Sequence, residues 1–420
     1  MNRRNILLLV LAACAVSLSA HAQSAASPRA ASPLDALGLP LDAWLAGADR
    51  TDIPWRVVIL PAQLQLHQRL AFSLRVDVPY KLLAQSGAQH DLLLVARVAA
   101  PDGRWHESAG VTAHRLEEEL PDNAIVSFTL QAQVLPGDYS VGVVLYDRAT
   151  RLRSVTRRPL HVPPLLKDPL PEAWKHLPAV EFIDPPDAPP ARRTAALSRL
   201  WLPVRAAHPL EIELLVNFSS SEQFAGRRRV DRFNVDVMTA LLYVLGQMEN
   251  SGGTLRATGV DLLRRNVIFE GRRVTDPGWS QVFADLARLD AGVIAAGEII
   301  GRHGNPAFFR EVFASRAAEI CGNASASTRQ PNSSAAQPRR VLIVVSSGIL
   351  FSPGADLTPI RPLAGCDLRV LHLRYQINRS NLWDKIAKLL RAFRPQRFEA
   401  QSPETFRSAL AALLAELNRM

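Results

Sequence analysis

The sequence predicts an α/β fold, in which a doubly wound, mostly parallel sheet is preceded by an all-β sandwich. Two observations lead to this fold class. Between Trp55 and Val162, short apolar or alternating runs are separated by turns rich in proline, glycine and aspartate, as in a sandwich of short strands. After Leu200, strand-like and helix-like stretches alternate, which is typical of a parallel sheet with helices on both faces.

The first residues have the features of an export signal. Two arginines precede an apolar stretch from Ile6 to Ala20, and a small-x-small cleavage site ends at Ala22. The stretch is short for a membrane span, and no later run of the sequence reaches transmembrane length. We therefore expect a signal peptide over 1–22, a flexible leader over 23–50, and an exported, periplasmic or extracellular protein without a transmembrane segment.

The chain contains three cysteines. Leu11-Ala12-Ala13-Cys14 resembles a bacterial lipobox, so lipoprotein anchoring through Cys14 is an alternative to cleavage and release. Cleavage would leave Cys321 and Cys366, which lie on either side of a polar stretch, 323–340, that we interpret as a flexible loop. In an oxidising compartment these two can form a disulfide. The alternative is that both are small apolar core residues.

The chain is basic, with a formal net charge of +10. Basicity by itself favours nucleic-acid binding. However, nearly all of the positive charge is arginine, the arginines are dispersed, and the longest run is 227–229. The sequence also lacks an alternation of aromatic and basic residues that would bind single strands. We interpret the charge as a solvated surface and expect no nucleic-acid partner.

The sandwich domain is predicted over 51–165 as an immunoglobulin-like pair of sheets. "LAFSLRVDVPYKLL" and "AIVSFTLQAQV" alternate between apolar and polar residues, and Pro-Asp-Gly, Pro-Asp-Asn and Pro-Gly-Asp turns separate such runs. No catalytic grouping occurs in this part of the sequence. The stretch 166–205 is rich in proline and is interpreted as an interdomain connector.

The parallel sheet is predicted over 206–420. "PLEIELLVNF" and "RRVLIVVSSGILF" have few charges, which is the mark of strands buried on both faces. "VDRFNVDVMTALLYVLGQMEN" has apolar residues at helical spacing. "SPETFRSALAALLAEL" begins with Ser-Pro-Glu, a helix start signal. These stretches alternate along the second half of the chain.

Oxygen-bearing side chains follow two of the predicted strands. Asn217, Ser219 and Ser221 alternate after the first strand, and Ser346 and Ser347 end the later one. Oxygen ligands at alternating positions on a loop are how many proteins hold a hard cation. A carboxylate normally leads such a set, and here an amide stands in its place.

These motifs resemble those of the von Willebrand factor A domain, whose first motif is Asp-x-Ser-x-Ser after a strand. Asn217-Phe218-Ser219-Ser220-Ser221 stands in that place, and "VLIVVSSGILF" stands where the family has an acidic residue and glycine. A short stretch with Phe398 before the final helix is also similar. The whole chain looks like the VWFA-related proteins of acidobacterial type. The resemblance implies a metal-ion-dependent adhesion site at the top of the sheet and binding of a protein partner there.

The sequence departs from the family at both acidic positions of that site. Mg²⁺ in proteins is usually held through carboxylates, because it gives up its water reluctantly. We therefore expect a degenerate adhesion site without a metal or another cofactor, although a divalent cation such as Mg²⁺ remains an alternative. The sequence does not identify which loop replaces the family's threonine motif. Weak candidate ligands are Glu222, Thr275, Asp276 and the turn at 290–292.

The predicted function is that of an exported, non-enzymatic, adhesion-type protein whose protein partner the sequence does not identify. A hydrolase or ligand-binding enzyme that uses the loops at the sheet top is an alternative, with His303 and His372 as the nearest histidines for a serine. The sequence has no Gly-x-Ser-x-Gly elbow and no zinc motif. A structural role in the cell envelope is the third hypothesis.

Overall fold

The computed structural model describes residue 34 and residues 37–87, 89–116, 119–183, 198–220, 228–274, 279–288, 301–327, 338–376 and 384–420. The signal peptide 1–22, with Cys14, lies outside the described residues. The chain divides into the units Met1–Pro40 and Leu41–Met420, and all elements named below belong to the second unit. No helix of the described ranges is both long and apolar enough to cross a membrane.

The N-terminal half forms two sheets whose strand pairs are all antiparallel. Its strands are β1 (Arg50–Thr51), β2 (Arg56–Leu64), β3 (Leu70–Pro79), β4 (His90–Ala99), β5 (Trp105–Leu116), β6 (Ile125–Val134), β7 (Gly137–Asp147), β8 (Arg153–Val162) and β9 (Val180–Ile183). One sheet has the order β1-β8-β7-β4-β5 and the other β2-β3-β6-β9. Two short helices, α1 (Leu41–Ala46) and α2 (Tyr80–Ala84), accompany them.

Alternation along the strands builds the core between these two sheets. In β6, Val126, Phe128 and Leu130 are buried while the residues between them are exposed. The sheets approach closely where Gly110 of β5 faces Phe182 of β9, because a Cβ on Gly110 would lie 2.5 Å from the Phe182 ring. Glycine is therefore required at that position. Since β9 falls inside the predicted connector 166–205, part of that stretch is a strand of the sandwich.

The C-terminal half contains the remaining elements. They are β10 (Leu202–Val204), β11 (Leu210–Asn217), α3 (Arg228–Leu245), β12 (Met248–Asn250), β13 (Thr254–Asp261), β14 (Asn266–Arg273), α4 (Trp279–Arg288), α5 (Asn305–Ser327), β15 (Arg339–Ser347), β16 (Leu368–Tyr375), α6 (Ile386–Leu389), β17 (Gln396–Ala400) and α7 (Pro403–Asn418). Single turns of 3₁₀ helix occur at Pro171–Trp174, Gly301–Gly304 and Arg391–Phe393. Of the predicted loop 323–340, the first five residues belong to α5, and the stretch 328–337 lies outside the described residues.

Six of these strands form one sheet in the order β14-β13-β11-β15-β16-β17. All of its pairs are parallel except that of β13 with β14. Helices cover both sides. On what we call the α3 face, Val216 packs with Leu241 of α3 and Leu410 of α7. On the α5 face, Leu215 packs with Phe313 of α5.

The predicted fold class, a doubly wound and mostly parallel α/β sheet, is nevertheless wrong for this chain. Among the strand pairs of the described residues, eight are antiparallel and five are parallel. The reason is the shortness of most connections. A short turn joins only antiparallel neighbours, whereas parallel strands need a crossover of a dozen residues or more. The alternation after Leu200 describes only one of the larger sheets, and the antiparallel pairs of the N-terminal half outnumber its parallel pairs.

A buried arginine joins the two halves of the unit. Arg407 of α7 donates from Nε to Asp168 Oδ1 at 2.5 Å and from Nη2 to Asp168 Oδ2 at 2.8 Å. Nη2 also donates to the Leu170 carbonyl at 2.7 Å, and the guanidinium lies 4.4 Å from the centroid of the Trp174 ring. Burial by itself would raise the pKa of the Asp168 carboxyl, but the hydrogen bonds from Arg407 and Leu170 bring it below its ordinary value.

The turn between β2 and β3 completes this joint. Gln68 donates from Nε2 to the Pro403 carbonyl at 3.1 Å, and its own carbonyl accepts the Trp174 indole N–H at 2.8 Å. Gln68 has a φ of 63°, in the left-handed region that non-glycine residues rarely adopt. The turn therefore holds an uncommon backbone conformation where it meets the connector and α7.

A disulfide links the α5 helix to the loop before β16. Cys321 and Cys366, the pair proposed from the sequence, are bonded with their Cα atoms 5.9 Å apart. That separation is within the ordinary range for disulfides.

Replacing Arg407 with methionine is expected to lower the free energy of unfolding by about 3 kcal/mol, because the partly buried Asp168 carboxylate would lose its counter-charge. Urea unfolding followed by circular dichroism measures the loss. Arg419→Met is the matched control, since that arginine is 69% exposed in its pair with Glu416 and such pairs contribute less than about 1 kcal/mol. Equal losses in the two variants would contradict this account of the joint.

Removing the disulfide in the double variant Cys321→Ser/Cys366→Ser is expected to lower stability by about 4 kcal/mol, because the bond closes a long loop in the unfolded chain. The urea midpoint of the oxidised protein, compared with the reduced protein and the double variant, measures this. Alkylation without reduction, read by mass spectrometry on the chain without 1–22, should find both thiols blocked. Two alkylated cysteines per chain would show that the bond does not form.

Candidate functional site

The polar residues singled out from the sequence lie where the central parallel strands end. Val216 of β11 pairs with Val345 of β15, and both belong to the α3 face. Successive residues of a strand point to opposite faces. Asn217 and Ser346, the next residue of each strand, therefore lie side by side on the α5 face. Ser347 follows on the α3 face, so the two serines that were predicted together are separated by the sheet.

The amide of Asn217 is occupied by its own loop. Its Oδ1 accepts the Ser219 hydroxyl at 2.7 Å and the Ser219 N–H at 3.2 Å, while its Nδ2 donates to the Ser219 carbonyl at 3.1 Å. The Ser219 Oγ in turn accepts the N–H of Leu262, in the turn after β13, at 3.1 Å. Both side chains are buried. An aspartate could not donate to the Ser219 carbonyl, so the amide is the group that fits this arrangement.

A second contact fixes the same loop to the neighbouring helix. Asn234 of α3 donates from Nδ2 to the Phe218 carbonyl at 2.8 Å and is itself buried. The N-terminal part of α3 is thereby tied to the end of β11. Hydrogen bonds within the protein thus hold this loop in shape through residue 220, where the described segment ends.

Among the described residues, an acid that adjoins this loop along the sheet is Asp261, which the sequence did not single out. Its neighbour Val260 pairs with Asn217. The Asp261 carboxylate accepts the N–H groups of Leu263 and Arg264 and forms an ion pair with the Arg264 guanidinium at 2.5 Å. Its charge is thus used to build the turn between β13 and β14.

The remaining predicted ligands are not brought to this loop by any described contact. Ser221, Glu222, Thr275, Asp276 and the turn 290–292 lie outside the described residues. Within the described ranges, no group of three or more His, Cys, Asp or Glu side chains could hold a metal ion.

Ser346, which was predicted as part of a cation site, contacts a buried histidine. Its Oγ lies 3.1 Å from Nε2 of His372 on β16, and Oδ2 of Asp384 lies 3.7 Å from the same nitrogen. Oδ1 of Asp384 accepts the N–H of Ile386, the first residue of α6, at 3.0 Å. Serine, histidine and aspartate are thus assembled on the α5 face. His303, the other histidine considered from the sequence, is exposed in a 3₁₀ turn.

The geometry of this group differs from that of a working hydrolase triad. In a triad the aspartate holds one imidazole nitrogen while the serine hydroxyl bonds the other. Here both groups approach Nε2, and Nδ1 of His372 has no hydrogen-bond partner among the described residues. Burial lowers the pKa of His372, against the raising effect of Asp384, so the ring is neutral at neutral pH. Ser346 and His372 are both 0% exposed, so a substrate cannot reach them without rearrangement.

Two further polar atoms in this region are buried without partners in the described structure. They are the hydroxyl oxygen of Ser347 and Oδ2 of Asp384. Unpaired buried polar atoms are uncommon in folded proteins and each destabilises the fold. A sequence signal for His372 existed, since it is the one histidine in the otherwise apolar stretch "VLHL", but nothing local in the sequence placed Asp384 beside it.

Comparison with known proteins does not identify a family. No family model matches the sequence, and no curated protein matches it. Among solved structures, the TFIIH p34 N-terminal domain is 8% identical, with 49% of this chain and 97% of that chain covered and a TM-score of 0.30. A family 123 glycoside hydrolase from Clostridium perfringens is 9% identical, with 79% and 74% covered and a TM-score of 0.25.

A β-glucuronidase from Bacteroides uniformis is 10% identical, with 87% of this chain and 39% of that chain covered and a TM-score of 0.19. All three TM-scores and identities are too low for the similarities to support an argument about fold or function.

Calorimetric titration with Mg²⁺ or Mn²⁺ is expected to show no micromolar binding to the native chain, because Asn217 Oδ1 already accepts three hydrogen bonds and carries no charge. Asn217→Asp should introduce weak Mn²⁺ binding, since one carboxylate then joins the Ser219 hydroxyl. Asn266→Asp makes the same change at an exposed position of β14 and serves as the control. Micromolar binding to the native chain would show that the loop is a cation site.

Treatment with a broad fluorophosphonate probe is expected to leave the native chain unlabelled, because Ser346 is buried and His372 lacks an orienting carboxylate on Nδ1. Labelling is read by in-gel fluorescence and intact mass, with Ser346→Ala as the matched variant. Stoichiometric labelling that disappears in Ser346→Ala would establish an activated serine and favour the hydrolase hypothesis.

Proposed function

We propose that this chain is an exported, non-enzymatic protein that binds another protein, and that its C-terminal half does so without a resident divalent cation. The observation that carries the proposal is the closed hydrogen-bond set of Asn217 and Ser219. In an adhesion site of the family that the sequence resembles, the corresponding oxygens would face a metal. Here they satisfy each other, so the loop keeps its shape without one.

The carboxyl ends of parallel strands support a binding role in general terms, because such sheets present ligand crevices there. The Asn217 loop, Asn234 and the Asp261 turn form a rigid platform at that edge. Phe233, next to Asn234 on α3, is 47% exposed. An exposed aromatic side chain beside a rigid loop is a feature of protein-binding surfaces.

The hydrolase alternative has one observation in its favour, the 3.1 Å contact between Ser346 Oγ and His372 Nε2. It would require both an opening of the α5 face and a new partner for Nδ1. Because the described structure supplies neither, the binding function is the one that the geometry supports best.

Affinity capture from an envelope extract of the native host tests the proposal. The immobilised chain without 1–22 is exposed to the extract in two arms, one with Mg²⁺ and one with EDTA, and recovered proteins are identified by mass spectrometry. The same protein should be recovered in both arms, and its purified form should bind the chain in calorimetry. A resin that carries the chain unfolded and reduced is the control. Recovery only in the Mg²⁺ arm, or no specific recovery in either arm, would overturn the proposal.

A further inference from the structure

A groove of about 320 Å³ lies between the connector, β10 and α7. We call it the Trp201 groove. Its walls are mainly apolar, and those used below are Pro169, Pro171, Trp201, Pro203, Ala411 and Ala415. This volume is at the lower end of the range for ligand sites in proteins. The groove is distant in sequence from the Asn217 loop and takes no residue from it.

Alanine and proline residues give the groove its shape. Ala411 and Ala415 lie one helical turn apart on α7, so they share a face of the helix and leave a trough where larger side chains would fill it. Pro169, Pro171 and Pro203 contribute ring surface and no backbone donors. Pro169, Pro171 and Ala415 are exposed. This apolar surface therefore remains open to solvent.

Positive charge is concentrated at the Trp201 end of the groove. The Arg205 guanidinium lies 5.5 Å and the Lys175 ammonium 5.0 Å from the centroid of the Trp201 ring. Within the described part of the chain, no carboxylate pairs with Arg205, although its backbone N–H donates to Asn418 at 2.5 Å. Lys175 has only a long contact, 3.7 Å, to the exposed Glu172. A stacked arginine without a counter-ion is well suited to receive a carboxylate.

We propose that the Trp201 groove binds an extended, proline-containing acidic segment of the partner protein. Its apolar residues lie in the trough, and a carboxylate follows at the end with Arg205 and Lys175. Proline-rich segments dock into grooves lined by aromatic side chains because they are already extended. Because the positive charge lies at one end of the trough, the bound segment places its carboxylate at that end, which fixes its orientation. This inference rests on the proposed protein-binding function and names the chemistry of the partner.

Fluorescence anisotropy with a labelled peptide tests the groove directly. The probe is fluorescein-labelled Pro-Leu-Pro-Leu-Asp-Glu, and the comparison peptide carries Asn-Gln in place of Asp-Glu. The acidic peptide should bind the full chain roughly tenfold more tightly than the amide peptide, since one charge-assisted hydrogen bond is of that size. Added salt should reduce this difference.

Three variants locate the binding. Arg205→Glu should abolish the preference for the acidic peptide. Ala415→Leu should weaken the binding of both peptides, because the leucine side chain fills the trough. Ala412→Leu makes the same change at the exposed neighbouring position of α7 and should alter neither affinity. Equal affinity for the two peptides, absence of binding, or full binding to Ala415→Leu would overturn the inference. Dimerisation of the chain that Ala415→Leu abolishes would assign the groove to a second copy and would also overturn it.

The groove and the proposed function can fail separately. If the captured partner still binds Arg205→Glu and Ala415→Leu with native affinity, the groove is not its docking site and the proposed function stands. If capture recovers nothing while the acidic peptide binds as expected, the groove is a peptide site and the proposed function of the chain fails.

Discussion

The buried Arg407 guanidinium is the interaction on which the arrangement of the C-terminal half against the connector depends. A charge in such a position destabilises a fold unless every direction around it is satisfied. Here a bidentate carboxylate, a carbonyl and an indole face meet that requirement. Ala411 and Ala415 follow Arg407 at intervals of one helical turn on α7, on the same face. The contacts that fix Arg407 therefore also fix the two alanines against the connector, and the Trp201 groove exists because of them.

Local sequence patterns predicted many of the strands and helices of this fold but led to the wrong fold class. "PLEIELLVNF" indicated a buried strand, and β11 is that strand. The Ser-Pro-Glu signal predicted the start of α7, where Ser402 is the N-cap, although the reciprocal bond comes from Thr405 instead of Glu404. The fold class was wrong because the alternation of strands and helices over 206–420 describes one sheet, whereas the antiparallel pairs of the two N-terminal sheets outnumber its parallel pairs. Short turns between successive strands produce several of those antiparallel pairs.

The residues of the candidate site also differ in whether the sequence predicted them. Asn217 and Ser219 were found from the sequence because their interaction is local, two residues apart on one loop. Ser346 and His372 were both named from the sequence, the serine as a site residue and the histidine as a candidate base, but Asp384 was not. The three residues come from two strands and a later loop and meet only through the pairing of β15 with β16. A single histidine in a strand is a weak signal, and an aspartate near a helix start usually indicates a cap.

The long sequence separation between Asp168 and Arg407 affects the order in which parts of the chain fold. Asp168 and Arg407 are 239 residues apart, so the connector emerges from synthesis long before the side chain that completes it. Contacts of such long range form late and slowly. Until α7 is in place, the Asp168 carboxylate lacks its guanidinium partner, and the Trp174 ring has only its hydrogen bond to the Gln68 carbonyl and its packing against the sandwich. The joint between the two halves therefore closes only when the last helix of the chain arrives.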